Sequence, residues 1–316
     1  MKLSTSNTNA NIAIYTPIVV ANTIVVNSSS IIIGTNNIVN STSLTVGSSI
    51  INATAISTPS LIIDGTSLPL SAPFSGIVNA QFFTANGTWT KPAGLTGNEM
   101  ILMMLWGGGG GASTNATFES QGGGGACVIG TYILSQLNST ETVTVGTGGN
   151  GFLTTGTATP GGNSVFKTLT AYGGGAGLRG SGGGGGGGTF GTGTAGVAAS
   201  GGGPLGGANT EPGGTSTFGG GGGGQATNNA RGGSSIFGGG GGAKGSTATA
   251  PGAFGGLSIY GGGGGGGVTS GNSVFGGRGA NTTSAAVIPG GGGVGNNTSS
   301  LYANGARGEV RVWVIG

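Results

Sequence analysis

Three hydropathy rhythms follow one another along the chain. From residue 18 to 65, short β-branched clusters alternate with Asn, Ser, Thr and Gly, as in TIVVNSSSIIIGTNNIVNSTSLTVG from Thr23 to Gly47. Apolar anchors fall at Ile24, Ile31, Ile38, Leu44, Ile50, Ile56 and Ile62, spaced first by seven residues and then by six. Ile, Val and Thr fit a pleated, half-buried surface, while Asn, Ser and Gly supply turns. The period is therefore one short strand plus one turn. The leucine seam and charged flanks of a heptad coiled coil are missing. A unit this small cannot bury an apolar face alone and has to stack on others. The segment is expected to form a shaft, either three chains wound together or a narrow β-solenoid.

A second rhythm begins after residues 66–80, TSLPLSAPFSGIVNA, which read as a Pro-bearing linker. Phe82–Phe83 and Thr88–Trp89 are predicted to pair around Asn86-Gly87, a hairpin dipeptide. The nearly all-apolar run EMILMMLW, Glu99 to Trp106, predicts a central strand buried on both faces. It is too short to span a membrane. Strands are also expected in ACVIGTYILSQL (126–137) and ETVTVG (141–146). The C-terminal GEVRVWVIG sets Val310, Val312 and Val314 against Arg311 and Trp313. It is expected to pair back beside MILMMLW and close a β-sandwich.

The third rhythm is glycine. Of the 82 glycines, seven precede Trp106 and the other seventy-five follow it. Runs such as YGGGGGGGV (260–268) and FGGGGGGQ (218–225) are introduced by a recurrent signature, a small polar residue, then a β-branched residue, Leu or Thr, then an aromatic. It ends at Phe166, Phe218, Phe237, Tyr260, Phe275 and Tyr302, with intervals of 19, 23, 15 and 27 from Phe218 onward. Irregular intervals exclude collagen, which needs strict Gly-X-Y. Aromatic punctuation has no purpose in a flexible linker. Two readings stay open: disordered low-complexity linker, or ordered packing. In the ordered case glycine adopts the polyproline-II conformation, with three residues per turn and ~3.1 Å rise, so that seven residues span about 22 Å. Without side chains such helices lie close enough for each buried N–H and C=O to find a partner on a neighbour. The expected architecture is all-β: an N-terminal intertwined β-repeat shaft, then a β-sandwich with packed polyglycine-II helices at its tip. Residues 1–17 form an attachment segment, 18–65 the shaft, 66–80 the linker and 81–316 the glycine-rich domain. That domain divides into a strand base (81–170 and 308–316) and a glycine-rich tip (171–307).

Charge narrows the function classes. Nine basic and six acidic residues leave a formal net charge of +3, too thin for a nucleic-acid interface, which needs clustered Lys and Arg. There is no His and one Cys, Cys127. This excludes a Ser-His-Asp triad, an intrachain disulfide and a Cys/His zinc site. Cys127, between Ala and Val, is expected to be a small buried hydrophobe. The start MKLSTSNTNANIAIY lacks the apolar core of a secretory signal, and no apolar run approaches the ~18 residues of a membrane span. The six carboxylates are scattered, so a glycosidase-type pair such as Glu119 with Glu211 rests on count alone. No phosphate-cradling motif of the GxxxxGK[ST] type occurs. The chain is expected not to be an enzyme and to need no cofactor or metal.

What remains is recognition by loops on a rigid scaffold. The segments between glycine runs are rich in small polar residues, which give adaptable hydrogen bonding. Thr210, Glu211, Asn228, Asn229, Arg231, Lys244, Phe254 and Asn281 are the candidate contacts, against a background in which any one of them serves ordinary turn chemistry.

FTANGTWTKPAG, MILMMLWGGGGGA, QGGGGAC, ETVTVGTGGNG, the glycine-rich repeats and the closing GARGEVRVWVIG, taken in this order over residues 81–316, resemble the glycine-rich domain of bacteriophage tail fibre proteins. The glycine runs are also similar to those of T-even phage tail-fibre tip adhesins, whose stacked polyglycine-II helices carry receptor-binding loops. The N-terminal β repeat departs from those adhesins. The resemblance implies a self-contained, trimeric fibre or spike of the virion, made in the host cytoplasm. Through its tip it would bind a host cell-surface receptor, an outer-membrane protein or a polysaccharide, and at its N-terminus other virion tail proteins. A structural virion protein without a receptor role, such as a head fibre or decoration spike, is the alternative. An ice-binding glycine bundle is disfavoured by the lack of G-x-x periodicity.

Overall fold

The computed structural model describes residues 60–63, 66–69 and most of 76–316. Residues 115–118, 153–155, 180, 197–199, 204–205, 209–212, 225–229, 246–253, 268 and 296–302 lie outside the description. The chain forms two compact units, Met1–Ser71 and Ala72–Gly316. Of the first, only an antiparallel hairpin is described, β1 (Ser60–Ile63) against β2 (Thr66–Pro69). The attachment segment and all of the expected shaft except residues 60–63 fall outside the described residues.

Among its described residues the second unit is all-β apart from one 3-10 turn, Leu134–Gln136. Its strands are β3 (Ile77–Phe83), β4 (Gly87–Thr90), β5 (Met100–Trp106), β6 (Ser113–Thr114), β7 (Glu119–Ser120), β8 (Cys127–Ile133), β9 (Thr140–Thr144), β10 (Ser164–Phe166), β11 (Leu169–Ala171), β12 (Lys244–Gly245) and β13 (Glu309–Ile315). Two four-stranded antiparallel sheets, ordered β3-β13-β5-β8 and β11-β10-β9-β4, face each other. Between them Ile101, Met103, Leu105, Val310, Val312 and Val314 meet Trp89, Val143 and Phe166 in one core. Alternation accounts for this, because successive strand residues point to opposite faces. Trp89 and Phe166 meet edge to face at 6.0 Å. As the C-terminal alternation requires, β13 pairs with β5 from Glu309↔Trp106 to Ile315↔Met100.

The expected 82–90 hairpin does not form. β3 pairs with β13, whereas β4 pairs with β9 in the other sheet. A type I′ turn needs positive φ at both central residues, and neither Asn86 nor Gly87 has it. Instead the Asn86 Oδ1 accepts the Val145 N–H at 2.8 Å, and the chain crosses between sheets so that Trp89 reaches the core. Residues 66–80 are also more than linker, since they supply β2 and the first residues of β3. β5 is central, but its outer face is covered only near Trp106, and Met100 is 41% exposed.

Glycine runs leave the ends of these strands and hydrogen-bond to one another. Along Gln121–Cys127 the amides donate in order to the carbonyls of Ala243, Gly293, Gly175, Gly240, Gly290, Tyr172 and Phe237. The acceptors come in rotation from three segments, 237–243, 290–293 and 172–175. The run 183–188 does the same with Gly224, Gln121, Thr194, Gly221, Gly124 and Gly191, at 2.7–3.1 Å. Every third amide thus returns to the same neighbour. A strand ladder would alternate between two neighbours, and an α-helix would bond within itself. Close approach dictates the residue type. A Cβ on Gly124 would stand 2.0 Å from the Gly262 carbonyl oxygen, and one on Gly239 would stand 1.9 Å from that of Gly124. The α-hydrogen in its place points at that carbonyl, the geometry of a weak Cα–H···O contact.

Candidate functional site

The segments that introduce the runs stack. Ser216-Thr-Phe-Gly, Ser235-Ile-Phe-Gly, Ser258-Ile-Tyr-Gly and Ser273-Val-Phe-Gly share one four-residue pattern. Parallel bridges join Ser216 to Ser235, Ser235 to Ser258, and Ser258 to Ser273, so the four segments lie as rungs of a ladder. The serine locks each rung to the one before it. The Ser235 hydroxyl donates to the Gly219 carbonyl at 2.6 Å and accepts the Gly238 N–H at 2.9 Å. Ser273 repeats this with the Gly261 carbonyl and the Gly276 N–H, and Ser258 donates to the Gly238 carbonyl at 2.7 Å. The aromatics then stack ring on ring: Phe218 on Phe237 at 5.4 Å, Phe237 on Tyr260 at 4.9 Å, and Tyr260 on Phe275 at 5.0 Å, all within 8° of parallel. Trp106 ties the ladder to the sandwich, its Nε1–H donating to the Tyr260 carbonyl at 2.8 Å.

The residue between serine and aromatic forms a separate column, Thr217, Ile236, Ile259 and Val274. Beside it runs a second column, Thr215, Ser234, Leu257 and Asn272. Together they line an open groove of about 930 Å³. Val274 is 71% exposed and Leu257 53%. Among the described residues, no ionisable side chain lines the groove. Branched apolar groups alternate with hydroxyls and one amide, on a floor that cannot shift without breaking the serine bonds. Such a surface can bind by shape, apolar contact and a few hydrogen bonds.

The residues singled out from the sequence are dispersed relative to this groove. Thr210, Glu211, Asn228 and Asn229 lie outside the described residues. Arg231 and Phe254 are brought together, the guanidinium 4.6 Å from the ring centre. Lys244 is only 7% exposed. Its Nζ donates to the Ser181 carbonyl at 2.6 Å, and burial lowers its pKa, so little of it can reach a partner. Asn281 closes its own turn, its Oδ1 accepting from the Thr283 N–H and the Ser284 hydroxyl. The groove residues were missed because irregular intervals hide their alignment. The signal was present in the fixed middle position of the Ser-x-aromatic-Gly pattern.

Among the described residues, no group of three or more His, Cys, Asp or Glu side chains could hold a metal ion, and no helix is long and apolar enough to cross a membrane. A search of curated proteins found no match to the chain. A family profile described as a glycine-rich domain matches residues 83–314, a span that takes in the glycine runs and both four-stranded sheets apart from most of β3 and the last residue of β13. By that match the chain belongs to the glycine-rich domain family.

Proposed function

We propose that the chain is a fibre or spike adhesin of the bacteriophage tail-fibre kind, a virion protein that attaches non-catalytically to a host cell-surface receptor. In this reading the glycine runs are polyglycine-II helices, and the threefold rotation of their amide acceptors supports it. The observation that carries the functional reading is the groove. Four rungs hold exposed Ile236, Leu257, Ile259 and Val274 in fixed positions, where a soluble protein otherwise gains nothing from exposing them. A stiff floor limits the entropy lost on binding. Three copies on one shaft would turn a weak contact into lasting attachment. Arg231 stacked on Phe254 and the loops around it are further contacts at the tip.

Electron microscopy of virions labelled with an antibody against residues 189–289 tests the placement, with label expected at the free ends of tail fibres. Purified full-length chain is expected to block adsorption of those virions to their host, and Val274→Glu is expected to abolish the block while leaving the circular dichroism spectrum unchanged. Label on the head would favour a structural virion protein. Undiminished blocking by Val274→Glu would remove the groove from the contact surface.

A further inference from the structure

The ladder of rungs has an open end. Each step from one rung to the next is made by the same two backbone bonds. The serine N–H of one rung donates to the carbonyl of the residue before the next serine: Ser216 to Ser234, Ser235 to Leu257 and Ser258 to Asn272, at 2.9–3.0 Å. The aromatic N–H of the following rung donates back to the middle carbonyl: Phe237 to Thr217, Tyr260 to Ile236 and Phe275 to Ile259, also at 2.9–3.0 Å. Ring stacking accompanies every step. At the last rung the series stops. Among the described residues nothing bonds to the Ser273 N–H or to the Val274 carbonyl, and no further described ring stacks on Phe275. These are the groups that a following rung would engage. They are accessible, with Val274 71% and Phe275 51% exposed. The opposite end differs, because there the Thr189 N–H takes the Phe218 carbonyl at 3.1 Å.

We propose that the Ser273–Phe275 edge takes an extended polypeptide segment as a fifth, parallel rung. An unpaired strand edge is a template for another strand. Strand addition draws its affinity from main-chain bonds and its selectivity from the side-chain positions. The three existing steps define the complement. The segment presents a carbonyl to the Ser273 N–H and, three residues on, an N–H to the Val274 carbonyl, with an aromatic side chain at that position to lie on the Phe275 ring. A branched residue just before the aromatic would prolong the column Thr217, Ile236, Ile259 and Val274, and with it the groove. A polypeptide backbone supplies this acceptor and donor whatever its side chains, whereas a glycan has no such repeat of carbonyl and N–H. A second copy of the chain would have to offer the complementary edge, at Phe218, where Thr189 already bonds. This inference rests on the adhesin reading for the source of the segment, an exposed stretch of a host surface protein.

The test uses the full chain and a synthetic peptide, acetyl-Gly-Leu-Ser-Ile-Tyr-Gly-Gly-amide, which copies residues 256–262. In a nuclear magnetic resonance titration the peptide is expected to shift the Ser273 amide and slow its hydrogen exchange. The Ser235 amide, already bonded to Leu257, is expected to stay unchanged. N-methylation of the peptide's tyrosine amide removes the donor to Val274 and is expected to weaken binding at least about tenfold. N-methylation of its serine amide, which points away from the ladder, is expected to leave binding unchanged. No response at Ser273, or equal weakening by the two methylations, overturns the proposal and leaves the adhesin reading standing, since adsorption blocking by the full chain judges that separately. On host cells, pretreatment with protease is expected to remove binding of the full chain. Loss with periodate alone assigns the contact to a glycan and overturns the proposal with the adhesin reading intact. Peptide bound at Ser273 with no binding of the full chain to host cells leaves strand addition standing and overturns the adhesin reading, and with it the source of the segment.

Discussion

A single methyl group tests whether close packing or chain flexibility explains the glycines. At Gly124 a Cβ would stand 2.0 Å from the Gly262 oxygen, and that oxygen belongs to backbone that is itself bonded. Gly124→Ala is therefore expected to cost about 3 kcal/mol or more. At Gly203 an added Cβ meets no described atom within 4 Å, and Gly203→Ala is expected to stay within about 0.5 kcal/mol. Urea unfolding of the two variants decides, since equal losses would mean that packing is not what selects glycine. Glu99 gives a pH dependence. Its carboxylate accepts the Thr96 N–H, the Gly97 N–H and the Thr96 hydroxyl at 2.8–2.9 Å. Led by the Thr96 amide, these bonds hold its pKa at about 2, below the ordinary 4.5. The folded state binds this proton more weakly than the unfolded chain, so the stabilisation is complete above about 4.5 and is lost as pH falls to about 2. Glu99→Gln is expected to remove that part of the acid sensitivity, and an unchanged acid profile would contradict the assignment. Burial pushes the Cys127 thiol upward. Maleimide is therefore expected to label it only after unfolding, because the thiolate is the reactive form. Its environment was legible in the sequence, where Cys127 stands between Ala and Val at the start of an apolar strand.

At the scale of the element, the ladder derives its order from repetition of one contact. Tyr260 has a ring on each side, whereas Phe218 stacks on Phe237 alone among the described rings. An aromatic pair contributes about 0.5–1.5 kcal/mol beyond the area it buries. Tyr260→Leu is thus expected to destabilise by roughly one pair more than Phe218→Leu, measured by urea midpoint at constant slope. Ser235→Ala would leave both the Gly219 carbonyl and the Gly238 N–H without their hydroxyl partner, and each such buried group costs about 1–3 kcal/mol. The strands of the sandwich were legible because their period of two is a local property, clear in GEVRVWVIG and MILMMLW. The pairing of β3 and β4 was not, because Asn-Gly signals a turn only where the flanking strands have no better partners. Here β13 and β9 compete successfully, with core positions for Val310, Val143 and Trp89. The rungs escaped notice for a related reason. Their alignment is set by glycine runs of unequal length looping between them, so the sequence interval carries no register.

For the whole molecule, the bonding pattern decides how it unfolds. Each glycine run is held by several others that lie far off in sequence: Gly293 donates to Gly110, Gly124 to Gly240, and Gly262 to Gly125. The same runs continue from β5 and β8, whose core packs under β13. Removing one run therefore strips partners from several more, and the runs cannot open while the sheets persist without stranding buried amides and carbonyls. Unit Ala72–Gly316 is expected to unfold as a single cooperative body in spite of its glycine content. Native-state hydrogen exchange reads this directly. The amides of Gly123, Gly187, Gly240 and Gly262 should exchange at the same rate as those of Met103 and Val312, with protection on the order of 10⁴ or more, the scale of global opening. Exchange of the glycine amides well ahead of the strand amides would instead mean that the bundle is a separate, weaker layer. In that case the ladder groove would rest on a floor that opens independently of the sandwich, and the rigidity on which the proposed recognition depends would be lost.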